Sequence, residues 1–427
     1  MASATALVIA NMIGAGVFTT SGFALADLGR PEPVLLAWLI GGGLATCGAL
    51  SYGALARRLP LSGGEYTFLA LTVHPLAGFL AGWISLLGGF TAPLAVAALT
   101  LQAYLGEWLG TAMRPEWVGT GALLAGGLMH GVRLRIGLAL QNVAVVLKLL
   151  IIIGFIVFGC TRISPEVRVS AVVLADNVPA FAATLVWVSF AYSGWNAAVY
   201  VAGEVRDPGR NLQRSLVLAT ALVTVTYLGL NTVFLYSAPP QVLAGHAEVG
   251  AIAAEALGGI ALRRVISLAV AAALFTSISS MIMAGSRVYA RMAHDGFLPP
   301  RLAAKGEVPS MAVLLQIGLA IVAVWNGGLV ELLGYVGFTL SLSAAATVAG
   351  LLRLRLREGP RGVPVPGYPW VPGVFIASTV AAAMFMALRE PRVAAIGLLT
   401  VAAGLPAYWL LARAQTTPPK VTRSPNA

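Results

Sequence analysis

The chain has 427 residues, of which 58% are hydrophobic and only 10% charged, with a mean hydropathy of +0.86, proportions foreign to a water-exposed surface. They exclude a soluble enzyme, a disulfide-held secreted domain and a nucleic-acid binder; the two cysteines, Cys47 and Cys160, sit in apolar runs and offer no metal site or disulfide framework. The net charge of +11, from 27 Lys and Arg against 16 Asp and Glu, reads as loop charge facing the cytoplasm.

In chain order, windows of about 19 residues between charged and Pro/Gly clusters predict twelve spanning helices. They cover 3–28, 34–57, 76–105, 117–134, 137–160, 180–203, 211–238, 262–293, 309–326, 330–354, 370–388 and 392–413. The first and the eighth exceed a bilayer's thickness, so tilting, breaks or extensions are expected in them. No cationic stretch precedes Arg30, so the apolar start reads as the first span and not as a secretory signal. Long connections follow the second span (58–75, cytoplasmic) and the seventh (239–261, outside). Sorting the cations into alternate connections gives eighteen on one side and eight on the other, which puts both termini in the cytoplasm. One cation, Lys148, is left inside a span. It lies about 11 residues, or roughly 16 Å, from either end of 137–160, too deep to snorkel fully. A central cation costs about 2.5–3.5 kcal/mol on insertion scales and marks function by default.

Within the first span the run Asn11-Met12-Ile13-Gly14-Ala15-Gly16-Val17-Phe18 holds two glycines two residues apart. Close helix packing separates small residues by four and keeps them on one face; a spacing of two suits local unwinding. The sixth span has a partner in Phe190-Ala191-Tyr192-Ser193-Gly194-Trp195-Asn196. Gly194 follows Gly14 by 180 residues and five helices, so a second set of five spans runs opposite to the first. Interrupted first helices in two inverted halves point to a secondary transporter with substrate bound where the breaks meet. A half-helix starting just after Gly16 aims free N–H groups at the cavity and suits a carboxylate. Half-helices ending near Ile13 and Phe190 aim free carbonyls there and suit an ammonium. An α-amino acid carries both groups, although a sugar or a nucleobase could also use them.

Two rival classes are disfavoured. A membrane enzyme needs clustered nucleophiles, metal ligands or acid/base pairs, whereas His74, His130, His246 and His294 are scattered at span ends and loops and the spans place no Asp or Glu at mid-membrane. A channel needs a ring of polar or charged pore residues. Glu65, Glu204, Asp207 and Asp295, with the arginines near them, fall at cytoplasmic ends, either as gate ion pairs or in solvated loops. The run Arg353 to Arg361 reads as a juxtamembrane anchor.

The motifs IGAGVF in the first span, GGEY after the second (Gly63 to Tyr66), FAYSGWN followed by GEVRDPGRNLQRS (Gly203 to Ser215), and SRVYARMAHDGFLP (Ser286 to Pro299) resemble the amino acid–polyamine–organocation (APC) superfamily, and most of all its L-type amino acid transporter branch. The likeness runs through essentially all twelve spans. It implies an all-α integral membrane protein of LeuT-like fold working by alternating access, with helices 1 and 6 broken. Residues 1–160 form the first repeat, 178–354 the inverted second repeat, 366–413 two added helices and 414–427 a cytoplasmic tail.

Carried over by position, the resemblance implies that the backbone of Gly14, Ala15 and Gly16 holds the substrate carboxylate. The carbonyls of Ile13, Phe190 and Ser193 hold its amine, Gly194 and Asn196 belong to the pocket, and the Phe190 ring is the gate; Trp195 reads as either pocket or core. Ser193 stands where cationic-substrate relatives carry an acid, so small or medium neutral amino acids are expected; cationic amino acids or polyamines are the alternative. Lys148 matches a lysine that reaches helices 1 and 8 where sodium-coupled relatives hold a cation, which implies sodium independence, with Ser277 or Ser280 as its helix 8 partner and hydroxyl bonding within that helix as the other reading. No cofactor or metal is expected, and exchange or proton coupling is left open. The protein is expected in the cell membrane. Two departures are visible: only Met1 and Ala2 precede the first span, which suggests a shortened start, and 106–116 lacks the cysteine by which animal relatives bind a heavy chain, so no such subunit is expected.

Overall fold

The computed structural model describes residues 1–109, 114–132, 134–163, 178–304 and 308–413. The expected tail 414–427 and part of the 106–116 segment lie outside them. Among the described residues the regular elements are all helical. In chain order they are α1 (Ala2–Met12), α2 (Ala15–Leu28), α3 (Pro31–Arg58), α4 (Glu65–Thr72), α5 (Pro75–Ile84), a π segment (Ser85–Thr91), α6 (Ala92–Leu109), α7 (Pro115–Val132), α8 (Leu134–Cys160) and α9 (Val178–Ala191). A 3₁₀ turn (Ala197–Glu204) leads to α10 (Pro208–Tyr236), α11 (Pro240–Leu243), α12 (Val249–His294), α13 (Ser310–Asn326), α14 (Leu329–Gly362), α15 (Trp370–Arg389) and α16 (Pro391–Arg413).

Nine stretches of the described chain are long and apolar enough to cross a membrane, and α9 and α13 are shorter apolar helices. The molecule is a multi-pass membrane protein. Helices satisfy their own backbone groups, which is the condition for standing in lipid. Hydroxyls inside them are bonded back to the preceding turn, as Thr46 to Gly42 O (2.8 Å) and Thr220 to Leu216 O (2.8 Å). Leu128, Val225, Leu314 and Leu410 point outward into what is lipid and not water, while Trp38, Tyr52, Tyr66, Tyr227 and Tyr289 are fully enclosed.

The first predicted span is two helices. Gly14 takes an extended conformation (φ −126, ψ −154) and caps α2, so the second half-helix begins at Ala15 and not after Gly16. Gly16 has a different task from the one its spacing implied. A Cβ there would stand 2.5 Å from Ala191 Cα, so its lack of a side chain lets α2 press against the end of α9. The third span runs from α5 to α6 through the π segment, where Thr91 Oγ1 donates to Leu86 O five residues back (2.6 Å).

Both long connections contain helices that the hydropathy windows did not foresee. Within 58–75 lies α4, and within 239–261 lie α11 and the first turns of α12, which bends at Gly258 and Gly259 (φ +72) before entering the bundle. Each connection seats on an element next to one of the two interruptions. Gly63 N donates to Tyr200 O (3.3 Å) and Gly203 N to Ser62 Oγ (2.8 Å), fastening the α4 connection to the 3₁₀ turn. Gly245 N donates to Gly22 O (2.8 Å), fastening the α11 connection to α2.

Candidate functional site

The two interruptions lie against each other. After Met12 the chain turns at Ile13, and Gly14 N donates back to Met12 O (2.8 Å). Of the three amides expected to face a carboxylate, that of Gly14 is thus already engaged. Those of Ala15 and Gly16 open α2 and have no acceptor within their helix. On the other side Ser193 N donates to Phe190 O (2.8 Å), and Gly194 reverses the chain at φ +93. A Cβ at Gly194 would lie 2.9–3.1 Å from atoms of Asn11, so only glycine fits both the dihedral and the approach.

Lys148 and Tyr227 tie the interrupted backbone together. Lys148, 5% exposed, reaches from α8 and donates from Nζ to Ile13 O at 2.8 Å. The ammonium therefore sits on the negative, carbonyl end of α1. On α12, Ser277 faces Gly14, where a Cβ would lie 2.9 Å from Ser277 Oγ. Ser280 instead donates within its helix to Ser277 O (2.9 Å), the alternative open for it from sequence. The phenol of Tyr227 on α10 bonds to Met12 O and to Ala191 O (3.1 Å), bridging both interruptions. Sequence reasoning passed over this residue, because a tyrosine in an apolar helix carries no signal distinguishing it from core.

A cavity of about 140 Å³ adjoins the breaks, lined among others by Asn11, Phe90, Ser193, Gly194 and Asn196. Trp195 also borders it, with its ring edge-on to Tyr52 (4.7 Å) and Phe375 (5.7 Å), so it is both wall and core. Phe190 is not on this wall: it borders a separate cavity of about 220 Å³ together with Trp187, Glu331, Arg389 and Glu390. Phe190 thus borders this second cavity while Ser193, three residues on, borders the first.

One carboxylate borders the first cavity, and it comes from the connection after α3 and not from a spanning helix. The α4 helix folds under the bundle and carries Glu65 into the wall, 4% exposed. Glu65 Oε1 accepts from Asn196 Nδ2 (2.5 Å) and from the Tyr52 phenol (3.1 Å), and Asn196 also donates to Tyr200 Oη (2.9 Å). The other oxygen, Oε2, is buried without a hydrogen-bond partner. Glu65 lies outside the spanning segments, and burial pushes its carboxyl above the usual carboxylate range.

The other acids expected near that end have different fates. Glu204 pairs with Arg287 (Nε to Oε1, 2.5 Å), whose Nη1 also donates to Met283 O (2.8 Å). Asp295 accepts from Tyr66 (2.8 Å) and Arg291 (2.9 Å). Asp207 caps α10. No group of three His, Cys, Asp or Glu able to hold a metal occurs among the described residues.

The sequence profile of the amino acid permease family matches residues 1–409. The chain is 29% identical over 425 residues to the Asc-type amino acid transporter 1 of Mus musculus, covering 96% of this chain and 80% of that one. It is 28% identical over 436 residues to the large neutral amino acids transporter small subunit 2 of Homo sapiens, covering 96% and 79%. The serine/threonine exchanger SteT of Bacillus subtilis (strain 168) is 27% identical over 421 residues, covering 95% and 94%.

Proposed function

Because the chain belongs to the amino acid permease family, an APC group, we propose that it exchanges small or medium neutral amino acids across the cell membrane by alternating access, without sodium. The observation that carries this reading is the pair of interrupted helices meeting beside one cavity, bordered by Asn11 of α1 and by Ser193, Gly194 and Asn196 after α9. The substrate carboxylate sits on Ala15 and Gly16 at the positive end of α2, and its amine on the carbonyls of Phe190 and Ser193. Ile13 O shares its capacity with Lys148, whose fixed ammonium stands in for a bound cation. Phe190 closes the site from the side of the second cavity.

The twelve-span, inverted five-plus-five arrangement of 1–160 and 178–354 is part of the proposal. The reciprocal seating of the two long connections supports it, since each half supplies one and receives one. Both termini are assigned to the cytoplasm on the cation asymmetry, and no disulfide-linked heavy chain is assigned, because the sequence 106–116 contains no cysteine. Neutral substrates fit the names of two of these relatives, one for large neutral amino acids and one for serine and threonine; the carboxyl of Glu65 in the cavity wall favours a cationic side chain instead.

Counterflow tests the proposal. Purified protein in liposomes loaded with unlabelled L-serine, L-threonine, L-leucine or L-lysine is offered labelled L-serine, with sodium replaced by choline. Accumulation of label with one of the first three is expected. Absence of trade with every amino acid tried defeats the reading, and dependence on sodium defeats the role given to Lys148.

A further inference from the structure

The acid in the cavity wall invites a question that amino acid exchange alone does not answer. Glu65 is enclosed, has one oxygen bonded only to neutral donors and the other to nothing, and forms no pair with Lys, Arg or His among the described residues. An enclosed carboxylate without a counter-cation is costly, and protonation removes that cost. The titratable groups facing it are phenols: Tyr52 from α3 and Tyr200 from the 3₁₀ turn. The charged groups of the same end, Arg287 with Glu204 and Arg291 with Asp295 and Tyr66, are engaged with one another. The contact Glu65 makes is also mechanical. Asn196 closes the interruption after α9, so the bond from Asn196 to Glu65 ties the α4 connection to the broken element that borders the cavity.

We propose that Glu65 is a proton-binding site of the transport cavity, occupied while α4 is seated on the broken element and emptied into water when the two separate. It rests on the transport reading above. In the seated state the proton is on Glu65; on separation the O–H bond breaks, the proton passes to water entering from the α4 side and the carboxylate becomes hydrated. Reseating requires the proton to return. The sign follows: acid favours the seated, closed arrangement and alkali the separated one, because burial raises the affinity of Glu65 for its proton only while it is enclosed.

The test is counterflow of labelled L-serine into liposomes loaded with L-serine, at equal pH on both sides, over about pH 5 to 8, where one titrating group changes the population of its minor form about tenfold per unit. Wild-type protein should give a pH-dependent rate, and Glu65→Gln a flatter profile. Tyr52→Phe removes a donor that stabilises the charged form, so it should move the wild-type midpoint to higher pH; this variant keeps the test decisive if Glu65→Gln does not accumulate in the membrane. A Glu65→Gln profile identical to wild type, or an unmoved midpoint in Tyr52→Phe, overturns the proposal. So does selective loss of L-lysine trade in Glu65→Gln, which would make the acid a substrate counter-charge. Absence of any trade by wild-type protein would strike the transport reading instead.

Discussion

Replacing Lys148 by Ala sets two energies of similar size against each other. A hydrogen bond from an ammonium contributes about 1.5–3 kcal/mol, and Lys148 donates such a bond to Ile13 O at 2.8 Å. Carrying a cation at the centre of a spanning helix costs about 2.5–3.5 kcal/mol, which alanine removes. The two nearly cancel for folding, so Lys148→Ala should insert and show a thermal midpoint near that of the wild type. Transport has no such compensation. The carbonyl end of α1 loses the charge that holds it beside the cavity, and at about 1.4 kcal/mol per decade the lost bond corresponds to a counterflow rate lower by about tenfold to a hundredfold. The assay pairs L-serine counterflow with quantification of inserted protein. A wild-type rate per inserted molecule would refute the role of Lys148, and collapse of the inserted protein would refute the cancellation.

Other substitutions probe the remaining parts of the site. Gly194→Ala forces a side chain to φ +93 and against Asn11, so a loss of about 1–2 kcal/mol is expected, read as a lowered thermal midpoint with impaired counterflow. Phe190→Ala should lower transport more than Trp370→Ala, a change at a ring 78% exposed; equal effects count against a gate. Arg287→Ala breaks the pair with Glu204, worth up to about 1 kcal/mol because Glu204 is partly exposed. In a background with Cys47→Ser and Cys160→Ser, a cysteine at Ser193 should then react faster with an impermeant thiol reagent from the α4 side, and an unchanged rate would deny Arg287 a part in closure.

How much could be read from sequence differs from residue to residue. The interruption at Gly14 announced itself, since a polar and glycine-rich run in an apolar span has few other uses. Gly194 did so for the same reason, and its φ of +93 is the conformation that glycine supplies. Lys148 was legible from cost alone, because a cation in that place is expensive. The role of Gly16 was misread: periodicity says which face a residue occupies and not what stands opposite, and what stands opposite is Ala191. The place of Glu65 in the cavity wall and the role of Tyr227 were hidden for a related reason. Glu65 looks like a loop acid until α4 folds under the bundle, and Tyr227 looks like core until its phenol meets two broken helix ends. Both connections hid their helices because hydropathy windows detect spans, and α4 and α11 are too short to span.

The crosswise fastening of the long connections bears on how the chain could be divided. Cut between residues 163 and 178, the amino-terminal piece would keep the α4 clasp but lose the 3₁₀ turn it grips, and the carboxy-terminal piece would keep the α11 clasp but lose α2. Neither fragment holds a complete lock. Coexpressed, the two are complementary, so a split chain should recover its substrate traffic through reassembly where each fragment alone does not.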